Sequence, residues 1–181
     1  MITDGPIPGL KLYTPRVFGD DRGYFFETFN ANVWKDAGIT KDFVQDNEAF
    51  SSRGVLRGLH YQRGEHAQAK LVRVIHGEVL DVAVDCRPDS PTYGQHHSVL
   101  LSGELKNQFY VPRGFAHGYV VLSETALFAY KCDNFYHPKA EGGLKFDDPT
   151  LGIDWKIDMS EVQLSEKDAI LPHFGDHLAA L

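Results

Sequence analysis

Leu71-Val72-Arg73-Val74-Ile75-His76-Gly77-Glu78-Val79-Leu80-Asp81-Val82-Ala83-Val84-Asp85 decides the class of this protein. Its aliphatic residues recur at period two or in short unbroken runs rich in Val, which is strand rather than helix patterning. Gly77 between the halves predicts two strands joined by a tight turn. Working outward, further strands are expected at residues 23–28, 55–61, 97–101, 108–111, 118–122 and 126–132. Their spacing, punctuated by Gly and Pro, suits a sandwich or barrel. Helical patterning is confined to residues 31–37, ended by Gly38, and to an acidic segment over residues 160–169. The expected architecture is all-β, a jelly roll with short peripheral helices.

The 181 residues are 43% hydrophobic and 12% aromatic, the make-up of a packed globule, with no linker, low-complexity block or solenoid repeat. One domain is expected over residues 1–181, with residues 172–181 as a tail. A domain of this size buries roughly 70% of the surface of its unfolded chain and needs no disulfide or metal staple. Against 25 Asp and Glu there are 18 Lys and Arg, and the net charge of -7 repels a polyanion. Nucleic acid is disfavoured as a partner, whereas one small phosphorylated ligand is not. Asp4, Pro6 and Pro8 stand where an export signal would be basic and then apolar. The longest apolar runs, such as residues 119–122, fall far short of the roughly 20 residues that cross a bilayer. No membrane association is expected, and Cys86 and Cys132 read as reduced thiols of a cytoplasmic protein.

Arg57-Gly58-Leu59-His60-Tyr61-Gln62 is a strand whose alternation sends Leu59 and Tyr61 to one face and Gly58, His60 and Gln62 to the other. A lone strand histidine is more often structural than catalytic, so partners decide its role. Pro112-Arg113-Gly114-Phe115-Ala116-His117 sets a bend just before a second histidine and resembles the second motif of cupins. The first cupin motif normally supplies two histidines one residue apart and a glutamate as metal ligands. Here Gln62 takes the second histidine's place, and an amide oxygen is a poor substitute for imidazole on a transition metal. The expected fold is thus a cupin-like jelly-roll barrel that does not depend on metal.

A longer ordered set of motifs goes further. Phe18-Gly19-Asp20-Asp21-Arg22-Gly23-Tyr24-Phe25-Phe26-Glu27, Gln45-Asp46-Asn47, the His60 strand, Gln68-Ala69-Lys70-Leu71-Val72-Arg73 and Asp85-Cys86-Arg87 closely resemble the dTDP-4-dehydrorhamnose 3,5-epimerase family. Val111 to Gly118, Tyr130-Lys131, Tyr136 with Pro138 and Glu141, and Leu164-Ser165-Glu166-Lys167-Asp168 continue the match in order. It runs from about residue 8 to about residue 172, departing at Phe146, where the family often has Trp, and over residues 175–181.

The resemblance implies an isomerase acting on a dTDP-linked 4-keto-6-deoxy sugar, inverting C3 and C5 without a cofactor. Both carbons flank the C4 ketone and are carbon acids, so a base, an acid and an oxyanion partner are required. His60 matches the family's base, Asp168 the carboxylate that orients it, Tyr130 the acid on the opposite face, and Lys70 the cation near the keto oxygen. Asp168 has a second reading, because Ser165-Glu166-Lys167-Asp168 also has the spacing of a helix N-cap box. Arg22, Glu27, Gln45, Asn47, Arg57, His117, Glu141 and Lys167 match substrate contacts, and Tyr136 matches the ring that stacks on thymine. In the family Arg22 and Glu27 reach the neighbouring subunit's site, which implies a homodimer. A single-centre epimerase, a metal-dependent cupin enzyme resting on His60 and His117, and a non-catalytic sugar-nucleotide binder are the competing readings.

Overall fold

Alternating aliphatic residues make the strands, and the way two sheets share them makes the fold. The computed structural model describes residues 1–177, and residues 178–181 of the expected tail lie outside that range. In chain order the elements are β1 (Ile2–Asp4), β2 (Lys11–Tyr13), β3 (Phe18–Asp20), β4 (Gly23–Phe25), α1 (Ala31–Asp36), β5 (Gln45–Ser52), β6 (Leu56–Gln62), β7 (Lys70–His76) and β8 (Glu78–Asp85). There follow β9 (His96–Ser102), β10 (Gln108–Val111), β11 (Phe115–Val121), β12 (Thr125–Cys132), β13 (Glu141–Gly143) and α2 (Glu166–Ala169). Among the described residues they form a six-stranded sheet, β1-β2-β10-β7-β12-β5, a five-stranded sheet, β13-β6-β11-β8-β9, and a separate hairpin, β3-β4. All the ladders between these strands are antiparallel. This bears out the all-β, cupin-like expectation.

The two strands of the opening motif do not pair with each other. β7 pairs with β10 and β12, whereas β8 pairs with β11 and β9 in the other sheet. Gly77, at φ 81°, takes the chain across at a corner where a Cβ would lie 2.1 Å from the Thr125 carbonyl oxygen. No L side chain fits that close approach at positive φ.

Val72, Val74, Phe109 and Phe128 from the first sheet pack against Val79, Ala83, Phe115 and Val121 from the second. The alternate residues of β8, Leu80, Val82 and Val84, point outward and are covered by Leu144, Leu151 and Trp155. Burial on both faces is why β8 reads as an almost continuous apolar run. Each fully buried side chain of this size stabilises by about 1.5–3 kcal/mol. Trp34 of α1 closes a third cluster over Ala69, Leu71 and Tyr110.

Three expectations change. The strand over 23–28 stops at Phe25. The segment over 160–169 is a 3-10 turn (Met159–Glu161), an extended stretch and the one-turn α2, because the Gln163 backbone is bonded to Gly54 and Leu56. Residues 172–177 are packed rather than free: the Pro172 carbonyl accepts from Lys145, and His177 is buried. β5 was not among the expected strands.

Candidate active site

One end of the space between the sheets is lined by polar side chains. β5 alternates, with Gln45, Asn47, Ala49 and Ser51 turned toward the interior and Asp46, Glu48, Phe50 and Ser52 exposed. Its partner β12 sets Tyr130 opposite Asn47, and β7 sets Lys70 opposite Cys132. From the facing sheet, β6 and β11 place His60 and His117 in register. A cavity of about 640 Å³ is lined by His60, Lys70, Tyr130, Arg57, His117, Asn47, Lys167 and Asp168. An adjoining cavity of about 100 Å³ shares Asn47, His60, Lys70 and Tyr130 and adds Gln45, Tyr136 and Glu141.

His60 Nε2 lies 2.7 Å from Asp168 Oδ1. The Gly58 amide donates to Asp168 Oδ2 at 3.3 Å. Gly58 has φ 115°, and a Cβ there would stand 2.6 Å from the His117 carbonyl oxygen, so only glycine lets β6 approach β11 this closely. Both readings of residues 165–168 hold in part. Ser165 caps α2 by accepting from the Asp168 amide at 3.1 Å, while the Asp168 carboxylate turns to His60. Burial pushes the Asp168 carboxyl up, but hydrogen bonds from His60, Gly58 and Ser165 outweigh it and leave the pKa below its ordinary value. A neutral His60 that donates Nε2–H to this carboxylate keeps the Nδ1 lone pair for a proton.

Burial lowers the pKa of Lys70, against the pull of the Cys132, Asp81 and Glu141 charges. Burial pushes Tyr130 up to about 12, so its phenol keeps its proton near neutrality. His117 Nε2 sits 2.9 Å from both oxygens of Asp81, and burial lowers its pKa despite that carboxylate. Arg57 donates from Nε and Nη2 to Ser51 Oγ at 3.2 Å. Glu141 accepts from the Tyr136 hydroxyl at 2.7 Å and from Lys167 Nζ, which links the two cavities at the rim.

Arg22 and Glu27 are not brought to this site. Arg22 lies in the exposed β3-β4 hairpin paired with Asp20, and Glu27 accepts from Asn30 Nδ2 at 3.2 Å. Gln62 is buried, and its Oε1 accepts from the His137 amide at 3.0 Å. Among the described residues no three His, Cys, Asp or Glu side chains are grouped to hold a metal ion. Asp81 and Ser51 escaped the sequence reading. A carboxylate inside the apolar run Val79 to Val84 was the available signal for Asp81, since a buried charge needs a partner.

The chain matches the family dTDP-4-dehydrorhamnose 3,5-epimerase over residues 4–176. The solved enzyme of that name from Elizabethkingia anophelis NUHP1 is 54% identical and superposes with a TM-score of 0.94 over 97% of either chain. The dTDP-6-deoxy-D-glucose-3,5-epimerase of Legionella pneumophila Philadelphia 1, solved with dTDP-4-keto-L-rhamnose, is 52% identical, with a TM-score of 0.92 over 96% of this chain and 92% of that one. The dTDP-4-dehydrorhamnose 3,5-epimerase of Pseudomonas aeruginosa is 53% identical over 171 residues, 94% of this chain and 93% of its own. With this identity along nearly its whole length, and an all-β sandwich that keeps the motif residues His60, Lys70, Tyr130 and Asp168 around one cavity, the chain belongs to the dTDP-4-dehydrorhamnose 3,5-epimerase family.

Proposed function

We propose that this protein inverts C3 and C5 of dTDP-4-dehydro-6-deoxy-D-glucose to give dTDP-4-dehydro-L-rhamnose, a step of deoxysugar biosynthesis. The observation that carries the residue assignment is that His60 and Tyr130 line one cavity from opposite sheets, with Lys70 beside them. A neutral His60 takes the proton next to the ketone, and Asp168 stabilises the imidazolium that results. The electron pair moves into the carbonyl, and the Lys70 ammonium steadies the enolate oxygen. Tyr130 returns a proton to the other face of the same carbon, so each inversion exchanges one proton and leaves no net oxidation. The two side chains regain their starting states through solvent.

The nucleotide lies toward Tyr136, Gln45 and Glu141, with Tyr136 stacking on thymine, while Arg57, Lys167, Asn47 and His117 hold the diphosphate and sugar. Arg offers diphosphate a planar fork of donors. The working unit is a homodimer of single-domain subunits in the cytoplasm, each lending Arg22 and Glu27 to its partner's site. The exposed Phe18 and Phe25 of the β3-β4 hairpin support this, since as cross-strand partners they share an apolar face suited to a second subunit. Incubation with the 4-keto nucleotide sugar in deuterated water tests the activity. Deuterium enters at both C3 and C5; entry at neither overturns the reading, and entry at one carbon makes the enzyme a single-centre epimerase.

A further inference from the structure

We propose that the C-terminal strap, residues 170–177, positions Asp168 for proton transfer, with Phe174 and His177 as its locking residues. This rests on the reading of His60 and Asp168 as a working pair. Asp168 sits in a helix of one turn, far below the length at which a helix holds itself. Its place is therefore set by the chain on either side. Before it, the Gln163 backbone donates to Gly54 at 2.8 Å and accepts from Leu56 at 3.0 Å. After it, the Lys145 amide donates to the Pro172 carbonyl at 2.8 Å. Asp148 Oδ2 then accepts from the Phe174 amide at 2.7 Å and lies 2.9 Å from His173 Nδ1.

The strap also reaches the other member of the pair. Leu171 covers Gly143, where a Cβ would come within 2.7 Å of it, and Gly143 is the cross-strand partner of His60. The Phe174 ring is 4.8 Å from Tyr93 and 5.1 Å from His177. His177 is only 2% exposed and meets Tyr61 edge-on at 6.2 Å. Tyr61 is the residue after His60 in β6. One cluster thus anchors the chain that delivers Asp168 and the strand that carries His60. His177 Nδ1 accepts from the Gly175 amide at 3.0 Å, which ties the ring to the strap as a neutral acceptor with its proton on Nε2. Loosening this seat shifts the carboxylate without removing any group that touches substrate. A shift of about 1 Å in a positioned group costs up to about a hundredfold in rate.

The test uses full-length Phe174→Ala and His177→Ala, with Asp168→Asn as reference. It reads kcat and KM for the nucleotide sugar, dTDP affinity by calorimetry, and the downfield imidazole proton of His60 by NMR. The expected result is a roughly ten- to hundredfold loss of kcat, with dTDP affinity and KM held and the downfield signal shifted or lost. His177→Asn keeps an acceptor for the Gly175 amide and restores most of kcat. Phe174→Leu retains apolar volume and carries the same measurements if Phe174→Ala does not fold. Folded variants with wild-type kcat and an unmoved signal overturn the proposal, as does a loss of kcat and dTDP affinity together in step with Tm. If Asp168→Asn itself keeps full kcat, the pairing with His60 is what fails; if it loses kcat while the strap variants do not, only the strap is at fault.

Discussion

His60 and Tyr130 reach the same cavity from different sheets, the imidazole from β6 and the phenol from β12. A sugar ring between them has one proton-transfer group above it and another below. Burial pushes the Tyr130 phenol up to about 12, whereas the Asp168 carboxylate lies 2.7 Å from His60, which fits the proposed division of roles with the phenol as acid and the imidazole as base.

That division predicts different losses from the two sides. His60→Ala removes the base proposed for both carbons and lowers both inversion and solvent exchange at C3 and C5 by about 10²–10⁴. Tyr130→Phe still permits proton loss to His60 but fails to protonate the other face, so exchange outlasts inversion. Deuterium incorporation and product formation, followed together by NMR, separate the two. Equal loss of both in Tyr130→Phe shows that another group is the acid.

Asp168→Asn keeps the size of the side chain and removes the charge that steadies imidazolium. The expected loss of kcat is on the order of 10²–10⁴, with substrate affinity little changed. It also changes acid stability. The folded pKa of Asp168 lies below its ordinary value, so its contribution is full above the unfolded pKa and is lost as pH falls through the folded one. Urea midpoints of wild type and variant therefore converge as the solution is acidified. Parallel curves down to acid pH contradict the assignment.

If Lys70 partners the enolate oxygen as proposed, it sets the alkaline side of the rate profile. Burial lowers its pKa from the ordinary 10.5, so rising pH discharges the ammonium early and removes the partner of the enolate oxygen. Tyr130 keeps its proton over the same range. Lys70→Arg stays charged and abolishes this limb while lowering kcat at neutral pH. The check is kcat against pH from 7 to 10, and a limb unchanged in the variant assigns it to some other group.

How much of this could be read in advance depended on which force shaped each segment. β7 and β8 were legible because burial selects their aliphatic residues, but their partners were not, since pairing is nonlocal and Gly77 looks the same in a hairpin as at a corner between sheets. β5 was missed because its interior positions hold polar residues: Gln45 and Asn47 line the cavities, and the buried Ser51 accepts from Arg57. A strand bent to function breaks the alternation that reveals strands. His60 and Asp168 are 108 positions apart, and only the motif match joined them before the geometry did. The helix expected over residues 160–169 failed for a nonlocal reason: Gln163 gives its backbone to Gly54 and Leu56, which are distant in the sequence.

Asp81 is a buried carboxylate that the motif reading passed over. Asp81→Ala leaves the His117 ring without its partner and costs about 1–3 kcal/mol of stability, measurable by urea unfolding. Asp81→Asn can keep a hydrogen bond but loses the charge that raises the Lys70 pKa. Its alkaline limb accordingly moves to lower pH than in wild type. A limb that stays in place shows that the Asp81 charge does not reach Lys70.

Arg22 is exposed on the β3-β4 hairpin and lines neither of the two adjoining cavities around His60. If it serves the partner's site, the variants Arg22→Ala and His60→Ala complement each other. The Arg22→Ala homodimer keeps its base but binds the nucleotide sugar poorly, and the His60→Ala homodimer is inactive. In a mixed dimer, the site built on the Arg22→Ala subunit has its own His60 and receives Arg22 from the His60→Ala chain. That site is whole, while the other lacks both groups. Mixing and subunit exchange therefore restore about half the wild-type activity per mixed dimer, one good site of two. The measurement is activity at low substrate before and after exchange, with gel filtration to follow the dimer. If mixing gives only the average of the two parents, Arg22 acts within its own chain or not at all. Replacing Phe25, 70% exposed on the same hairpin, by Ser separates these outcomes: it weakens the dimer and abolishes complementation only when the hairpin crosses to the neighbour.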